Sequence, residues 1–411
     1  MKTPLVTVIG AGASGLSAAV AAASAGTCRV LLLERNDRPG KKLLITGNGR
    51  CNLGNSRLDP DRYEGETALA RSVLGRFGIS ETLAFLKETG IGIYDRDGYL
   101  YPASREASDV RRLLELRVRE LGVSLKTGFQ ASVLEKRGDG FRIVSAGGEE
   151  IRSDRVILAG GGTAAPKTGS DGSALSLAVG LGHGPEPFRP ALVPLTVSGN
   201  EWKEAAGVRV IAEVKLCSGG RILGNEHGEI QFGEKTLSGI PVLDLSARAG
   251  KAFAEREDVR LILCFTDSPA AEAMVQLRSR ASGHPGWESG DLLSGMLPHK
   301  LIPILLKKAG IPLHVPAARI QSPSLARLSD LLAATEIPVS GTGGVEQAQT
   351  TAGGIRAEEL SPDLRSLLCP GLYFAGEIVN VHGPCGGYNL QWAWSSGAVA
   401  GSAAAASLRS F

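Results

Sequence analysis

The chain has 411 residues, 21% of them charged and 43% hydrophobic, with a formal net charge of +3. Such a length provides two or three domains with their own cores, the composition excludes a disordered chain, and the mild charge is no signature of nucleic-acid binding. Six cysteines without a Cys-x-x-Cys pair and six dispersed histidines argue against a disulfide framework, a zinc site or a dithiol centre, so a cytoplasmic, metal-free protein is expected.

The first 34 residues predict a βαβ unit. Pro4 to Ile9 reads as a buried parallel strand, residues 13 to 25 as an alanine-rich helix, and Arg29 to Leu33 as a second strand. Between them lies Gly10-Ala11-Gly12-Ala13-Ser14-Gly15. The first glycine permits the tight turn, the second lets backbone amides approach a pyrophosphate, and the third lets helix and strand pack closely. Glu34 follows at the strand tip, where a carboxylate accepts hydrogen bonds from a ribose. The uncharged run Leu5 to Gly26 matches a leader or membrane anchor in hydropathy alone. Its ordered glycines and weak basic flank assign it to the fold, and no membrane association is expected.

Further along, Ser80 to Thr89 predicts an amphipathic helix and Tyr94 to Pro102 a loop or hairpin. A second helix starts with Ser108 as N-cap, carries Val110, Leu113, Leu114, Val118 and Leu121 on one face, and closes at Gly122. Its Arg111, Arg112 and Arg119 face away from that stripe, which suits a solvated face better than an RNA contact. Val123 to Thr127, Ala131 to Lys136, Phe141 to Ala146 and Arg155 to Leu158 read as strands. From Pro190 to Ser246 the pattern becomes β-rich, with Ala191 to Val197, Val208 to Cys217 and Val242 to Leu245 as strands. Residues 250 to 335 read as helical, with Leu292 to Leu306 interrupted by Pro298 and Pro303 and a further helix over Leu325 to Ala334.

Gly is abundant, at 54 residues, and much of it gathers in five clusters. The second, Pro39-Gly40-Lys41-Lys42 through Thr46-Gly47-Asn48-Gly49-Arg50-Cys51-Asn52, suits a loop lying over a diphosphate and approaching a flat ring. The third, Ala159-Gly160-Gly161-Gly162, ends a strand in small residues that another group can cross closely. The fourth, Gly341 to Gly344 with Thr351 to Gly354, lacks the helix, strand and acid of a second nucleotide fingerprint. In the fifth, Gly371 to Glu377, a short strand ends in an acid placed to bind a flavin polyol, and Gly383 to Gly387 leads into a helix starting near Tyr388. That helix would aim its N-terminal amides at the pyrimidine end of the ring. Trp392 and Trp394, at helical spacing beside small residues, are expected in the core.

These clusters resemble the BaiN/RdsA-type FAD-dependent oxidoreductases, which include enzymes described as aminoacetone oxidases. The match spans nearly the whole chain, and its most specific pieces are the Gly40 to Asn52 loop, Thr351 to Gly354, and Gly371 to Glu377 followed by Gly386 to Trp394. The resemblance implies an α/β fold: a discontinuous Rossmann-like FAD-binding domain (1–190 and 337–411), an inserted β-barrel-like domain (191–250 and about 320–336) and a small helical domain (251–319). It implies FAD held by Gly10, Gly12, Gly15, Glu34, Lys42, Arg50, Asn52, Gly160, Gly376, Glu377, Gly387, Tyr388, Asn389 and Leu390. Ala13, Ser14, Arg35, Gly40, Thr46, Asn48, Gly49, Cys51, Val133, Ala159 and Gly161 complete the candidate set. Two stretches depart from the family pattern, Phe232-Gly233-Glu234-Lys235-Thr236 and Asp363-Leu364-Arg365-Ser366.

The expected activity is an NAD(P)H-driven reduction of a C=C bond conjugated to a carbonyl, in a steroid enone-like or rRNA uridine-like substrate. NAD(P)H docks transiently, and Cys51, Tyr388 and Tyr101 are the candidate proton donors, with His382 and Cys385 near the same end of the ring. Two other readings compete. An aminoacetone-type amine oxidase would pass electrons to dioxygen and make hydrogen peroxide, and a non-catalytic flavin and RNA-binding module would use Lys300, Lys307, Lys308 and the arginine-faced helix. The oligomeric state is left open.

Overall fold

A computed structural model describes residues 3–266 and 268–408. The chain before Pro190 and from Ala348 onward forms one compact unit, and Pro190–Gln347 forms a second.

The first unit is built on a five-stranded parallel sheet. Its order is Leu372–Phe374, Arg155–Leu158, Leu5–Ile9, Arg29–Leu33 and Ser124–Lys126, so the first and last parts of the chain share one sheet. Parallel strands covered on both faces need continuous apolar sequence. Val6, Val8, Leu32, Val156, Ile157, Leu158, Leu372 and Phe374 accordingly have no accessible surface. The helix Ala13–Ser24 packs against the sheet and crosses the C-terminal helix Tyr388–Ala406 very closely. A Cβ on Gly397 would lie 2.3 Å from the Ser14 carbonyl and one on Gly401 2.3 Å from the Ala18 carbonyl, which explains the small-residue composition of both helices.

Trp392 and Trp394 are core residues, 1% and 0% exposed. Each indole N–H reaches a backbone carbonyl, Trp392 Nε1 donating to Gly376 (3.0 Å) and Trp394 Nε1 to Leu53 (2.9 Å). Trp394→Phe strands the buried Leu53 carbonyl and is expected to cost about 1–3 kcal/mol of stability, measurable by chemical denaturation.

Smaller elements complete this unit. The hairpin expected near Tyr94 is Ile93–Arg96 paired with Tyr99–Pro102, which in turn pairs with Gly54–Asn55. A helix over Thr67–Arg76 and the strand Glu150–Ser153 have no counterpart in the sequence reading. The arginine-bearing helix runs Ala107–Glu120, capped by Glu106 without a side-chain hydrogen bond. Ser108 therefore sits in its first turn rather than at the cap, because the buried Ala107 already has to join the helix. Arg111 and Arg119 both pair with Glu115, at 2.8 and 2.5 Å.

The second unit is a closed six-stranded barrel with helices sharing its core. The strands follow the order Leu195–Val197, Thr236–Ser238, Arg221–Phe232, Arg209–Ser218, Val259–Cys264 and Thr335–Thr342, and the last pairs back with the first. Three sequence expectations are corrected here. Val242 to Leu245 is part of the helix Ile240–Ala254, since Pro241 fits a first helical turn and Val242, Leu245, Ala249 and Ala252 are buried at helical spacing. Ala191 to Val197 is not one strand, because Leu192 takes a left-handed φ of +52° and Pro194 follows; only Leu195–Val197 joins the barrel. The helical stretch 250 to 335 contains the barrel strand Val259–Cys264, whose burial alternates with the period of a strand. The barrel also takes in residues 337–342 through its strand Thr335–Thr342. Leu245, Leu305 and Leu328 pack into the same cluster as Val214, Ile230 and Leu261, so helices and barrel have a common core. Among the described residues no helix is long and apolar enough to cross a membrane.

Candidate active site

A cavity partly open to solvent lies in the first unit at the tips of the parallel strands. The turn after the first strand shows why the glycines are needed. Gly10 has φ +101°, and a Cβ there would lie 2.6 Å from the Ala159 carbonyl; a Cβ on Gly15 would lie 1.8 Å from the Gly10 carbonyl. Gly12 differs: it lines the cavity, and a Cβ there would meet nothing within 4 Å. It also caps the Ala13–Ser24 helix without a side-chain hydrogen bond. A bare helix N-terminus facing open space is the cradle a diphosphate occupies.

Glu34 stands beside it, 7% exposed. One carboxylate oxygen accepts from the Ala11 amide (2.9 Å), the other from the Asn36 amide (2.9 Å) and Nδ2 (2.7 Å). Three hydrogen bonds leave room at a carboxylate with about four lone-pair sites. Arg35 lines the cavity and pairs with Asp171 at 2.5 Å. Burial pushes the Asp171 carboxyl up, but Arg35 and Ser173 outweigh it and hold it below the usual carboxylate range.

The Lys42–Gly49 segment is a 3₁₀ run broken at Thr46, Gly47 (φ +56°) and Asn48 (φ +54°). Its Lys42 and Thr46 line the cavity. Lys42 Nζ donates to both oxygens of Glu377, at 3.0 and 2.9 Å, and the Thr350 hydroxyl donates to Oε1 at 3.0 Å. Glu377 is offered by a turn that begins at Gly376, where φ is +79° and a Cβ would lie 2.4 Å from Ser14 Oγ. The helix Tyr388–Ala406 is capped by Gly387 at φ +95°, again without a side-chain hydrogen bond, and brings Asn389, Leu390 and Ala393 to the cavity. Asn389 fixes the approach to this helix: Oδ1 accepts from the Gly383 amide (3.0 Å), and Nδ2 donates to the Gly383 carbonyl (2.8 Å).

Of the candidate residues, Gly10, Gly12, Ala13, Ser14, Glu34, Arg35, Gly40, Lys42, Thr46, Ala159, Gly160, Gly161, Gly376, Glu377, Asn389 and Leu390 line this one cavity. Others sit behind it or outside. Gly15 is buried in the helix–strand contact. Asn52, with its amide oriented to satisfy its neighbours, donates to the Leu100 and Gly54 carbonyls and accepts from Gly387, bracing that cap from below. Tyr388 is 3% exposed, its hydroxyl accepting from the Asp59 amide (3.2 Å). Asn48, Gly49 and Arg50 are exposed on the outer side of the loop, with the Arg50 guanidinium over the Tyr101 ring at 5.7 Å. Val133 lies at the surface, 37% exposed; Phe129, Gln130 and Ala131, two to four residues earlier, line the cavity. His382 is buried with neither ring nitrogen hydrogen-bonded, 3.7 Å from Glu64.

Thr168, Gly169, Ser170, Ser173 and Gln349 also line the cavity and carried no functional expectation. The Gly169 and Gly172 turns (φ +102° and +81°) were the available signal for the first four; Gln349 has none. Among the described residues no group of His, Cys, Asp and Glu is placed to hold a metal ion.

Cys51 has no accessible surface and a φ of +59°. Burial pushes its thiol from the ordinary 9.0 up to about 12, against a hydrogen bond with Thr46. Burial, then the neighbouring Tyr388, likewise raises Tyr63 well above its usual value. Both groups favour the protonated form in the folded state, so their contribution to stability is complete below the unfolded-state value and lost as pH rises through the folded one. For Cys51 that window runs from about 9 to about 12. We expect unfolding free energy to fall across it, and iodoacetamide at pH 8 to leave Cys51 unmodified in the native protein while labelling it after denaturation.

Fold, cavity and kinship together define an FAD-dependent oxidoreductase. The chain belongs to the family described as HI0933-like protein Rossmann domain, which it matches over residues 4–403. It is 42% identical to a 3-dehydro-bile acid delta(4,6)-reductase of Clostridium scindens, over 97% of this chain and 98% of that one. It is 29% identical to a ribosomal RNA dihydrouridine synthase of Escherichia coli, over 95% of each. Among solved structures, Mycobacterium smegmatis Sdh1 in complex with UQ1 superposes with a TM-score of 0.51 at 17% identity, covering 99% of this chain and 69% of that one, a likeness of fold alone.

Proposed function

We propose that the protein is an NAD(P)H-driven reductase of a C=C bond conjugated to a carbonyl, with a steroid-like enone as the substrate class. The observation that carries this reading is the 42% identity, along almost the full length of both chains, to a relative whose name describes such a reduction. The name of the 29% identical relative describes saturation of a uracil ring, chemically the same kind of bond, and makes an rRNA uridine the second substrate class.

The chain's own residues support it. Gly12 to Ser14 offer amides to a diphosphate, Glu34 a carboxylate to a ribose, and Glu377, steadied by Lys42 and Thr350, an acceptor for polyol hydroxyls. Leu43, Phe129, Leu177, Leu390 and Ala393 exclude water. The N-terminus of the Tyr388–Ala406 helix adds a fixed partial positive charge that stabilises negative charge developing in the cavity. FAD held by these residues would supply hydride transfer between NAD(P)H and the enone β-carbon, leaving the α-carbon to take a proton from the protein or solvent. Of the three candidate donors for that proton we favour Tyr101, which adjoins the cavity through Gly47: Cys51 and Tyr388 are buried, whereas Tyr101 is partly exposed and makes no side-chain hydrogen bond among the described residues.

Anaerobic mixing tests the reading. NADPH or NADH is expected to bleach the flavin absorbance, and a 3-oxo-4-ene steroid added afterwards to restore it without oxygen. Bleaching by aminoacetone and by neither nicotinamide nucleotide would replace the reductase with an amine oxidase.

A further inference from the structure

On the hairpin outside the cavity, Tyr94 and Tyr101 are direct cross-strand partners and therefore share one face, about 5 Å apart. Each ring carries a guanidinium: Arg105 lies over Tyr94 at 5.1 Å and Arg50 over Tyr101 at 5.7 Å. Both arginines are exposed, and neither makes an ion pair among the described residues. The carboxylate next to Tyr94 in sequence is committed elsewhere, Asp95 accepting from Ser56 Oγ (2.6 Å) and the Gly98 amide (2.8 Å). Arg111 and Arg119 on the neighbouring helix are, by contrast, each paired with Glu115.

Two further observations separate this pair from ordinary surface arginines. Arg105 takes a φ of +58°, a left-handed conformation in which glycine is the unstrained residue, so a long cation is kept where the backbone does not favour one. The platform also adjoins the cavity: a Cβ on Gly47 would lie 3.6 Å from the Tyr101 ring, and Thr46, one residue earlier, lines the cavity.

We propose that Arg50 and Arg105, stacked on the Tyr101–Tyr94 pair, form the docking seat for the phosphate-bearing end of the nicotinamide dinucleotide. This inference rests on the reductase reading above. A guanidinium held over a ring can fork a phosphate through its N–H groups, which in Arg50 are the terminal ones since Nε donates to the Gly47 carbonyl (3.4 Å), and can stack on an adenine. Two such groups without carboxylate partners suit a small dianionic ligand that arrives, exchanges its hydride and leaves.

The test uses the FAD-loaded protein. In anaerobic stopped flow, Arg105→Gly removes the cation while relaxing the backbone, so folding is retained, and Arg50→Ala removes its counterpart. Each, compared at full FAD occupancy, is expected to raise the NADPH concentration that half-saturates flavin reduction at least tenfold, with the limiting rate retained in Arg105→Gly and Arg105→Lys recovering part of the loss. Titration with adenosine 2′,5′-bisphosphate is expected to weaken by a similar factor in both variants and with added salt. Wild-type bleaching with unchanged half-saturation in both variants overturns the seat and leaves the reductase standing. Loss of oligoribonucleotide binding in those variants, with coenzyme kinetics unmoved, gives the face to RNA instead. A wild type that neither nicotinamide nucleotide reduces overturns seat and reductase together.

Discussion

Gly12→Ala is expected to yield a protein that folds with the stability of its cofactor-free parent and holds FAD poorly. The added methyl meets no atom of the protein within 4 Å, so the apo fold gives no cause for a loss. Gly12 does line the cavity where the Ala13–Ser24 helix begins, the seat proposed for the diphosphate. Overpacking of this kind costs about 1–3 kcal/mol, roughly a ten- to hundredfold loss of affinity. Gly15→Ala is the contrast: its methyl would sit 1.8 Å from the Gly10 carbonyl, in backbone that cannot move without parting helix from strand. That variant is expected to lose more than about 3 kcal/mol, a large share of the ~5–15 kcal/mol available to a domain, and to be recovered unfolded or in inclusion bodies. Thermal melts of the apoproteins and FAD titration separate the two effects. Equal damage by both substitutions would contradict the assignment of separate roles.

The second large effect is expected at Glu377. Glu377→Gln keeps the shape but leaves Lys42 without its counter-charge and weakens the acceptor offered to Thr350. Both side chains are mostly buried, 23% and 16% exposed, so water compensates only in part. FAD affinity is expected to fall by about 2–3 kcal/mol, roughly thirty- to a hundredfold. Lys42→Met leaves the opposite charge stranded and should lower the unfolding free energy, and with it the melting temperature, by about 2–3 kcal/mol. The double variant is expected to recover melting temperature, since no lone charge remains in the cavity, without recovering FAD. A double variant less stable than either single one would mean that the two residues do not act as a pair.

How much of this was legible in the sequence follows from how local each signal is. The opening βαβ unit is legible because the strand, its turn and the acid at the second tip are contiguous and each residue type there has one physical reason. The return of the chain to the same sheet is legible from Gly371 to Glu377, whose strand-then-acid pattern repeats that of Arg29 to Glu34. The barrel is much less so. Arg221–Phe232 is polar and glycine-containing, and its place is set by partners on either side rather than by its own periodicity. Val259–Cys264 is apolar at nearly every position, so period two and period 3.6 fit it equally. At the site the sequence supplies the right loops but not the direction of each side chain. Arg50 and Cys51 are adjacent, yet one is exposed over Tyr101 and the other sealed in the core, because the left-handed residues around them reverse the chain within a few positions.

One flavin dinucleotide seat, built from both ends of the chain, is proposed to serve a reaction drawing on NAD(P)H. The absorption spectrum of the purified protein under argon, recorded before and after adding NADPH or NADH and again after adding a 3-oxo-4-ene steroid, tests it most directly. The expected result is a yellow protein with one FAD per chain that bleaches with nicotinamide nucleotide and regains its colour with the enone. Protein that stays colourless after incubation with excess FAD and removal of the unbound nucleotide would contradict it.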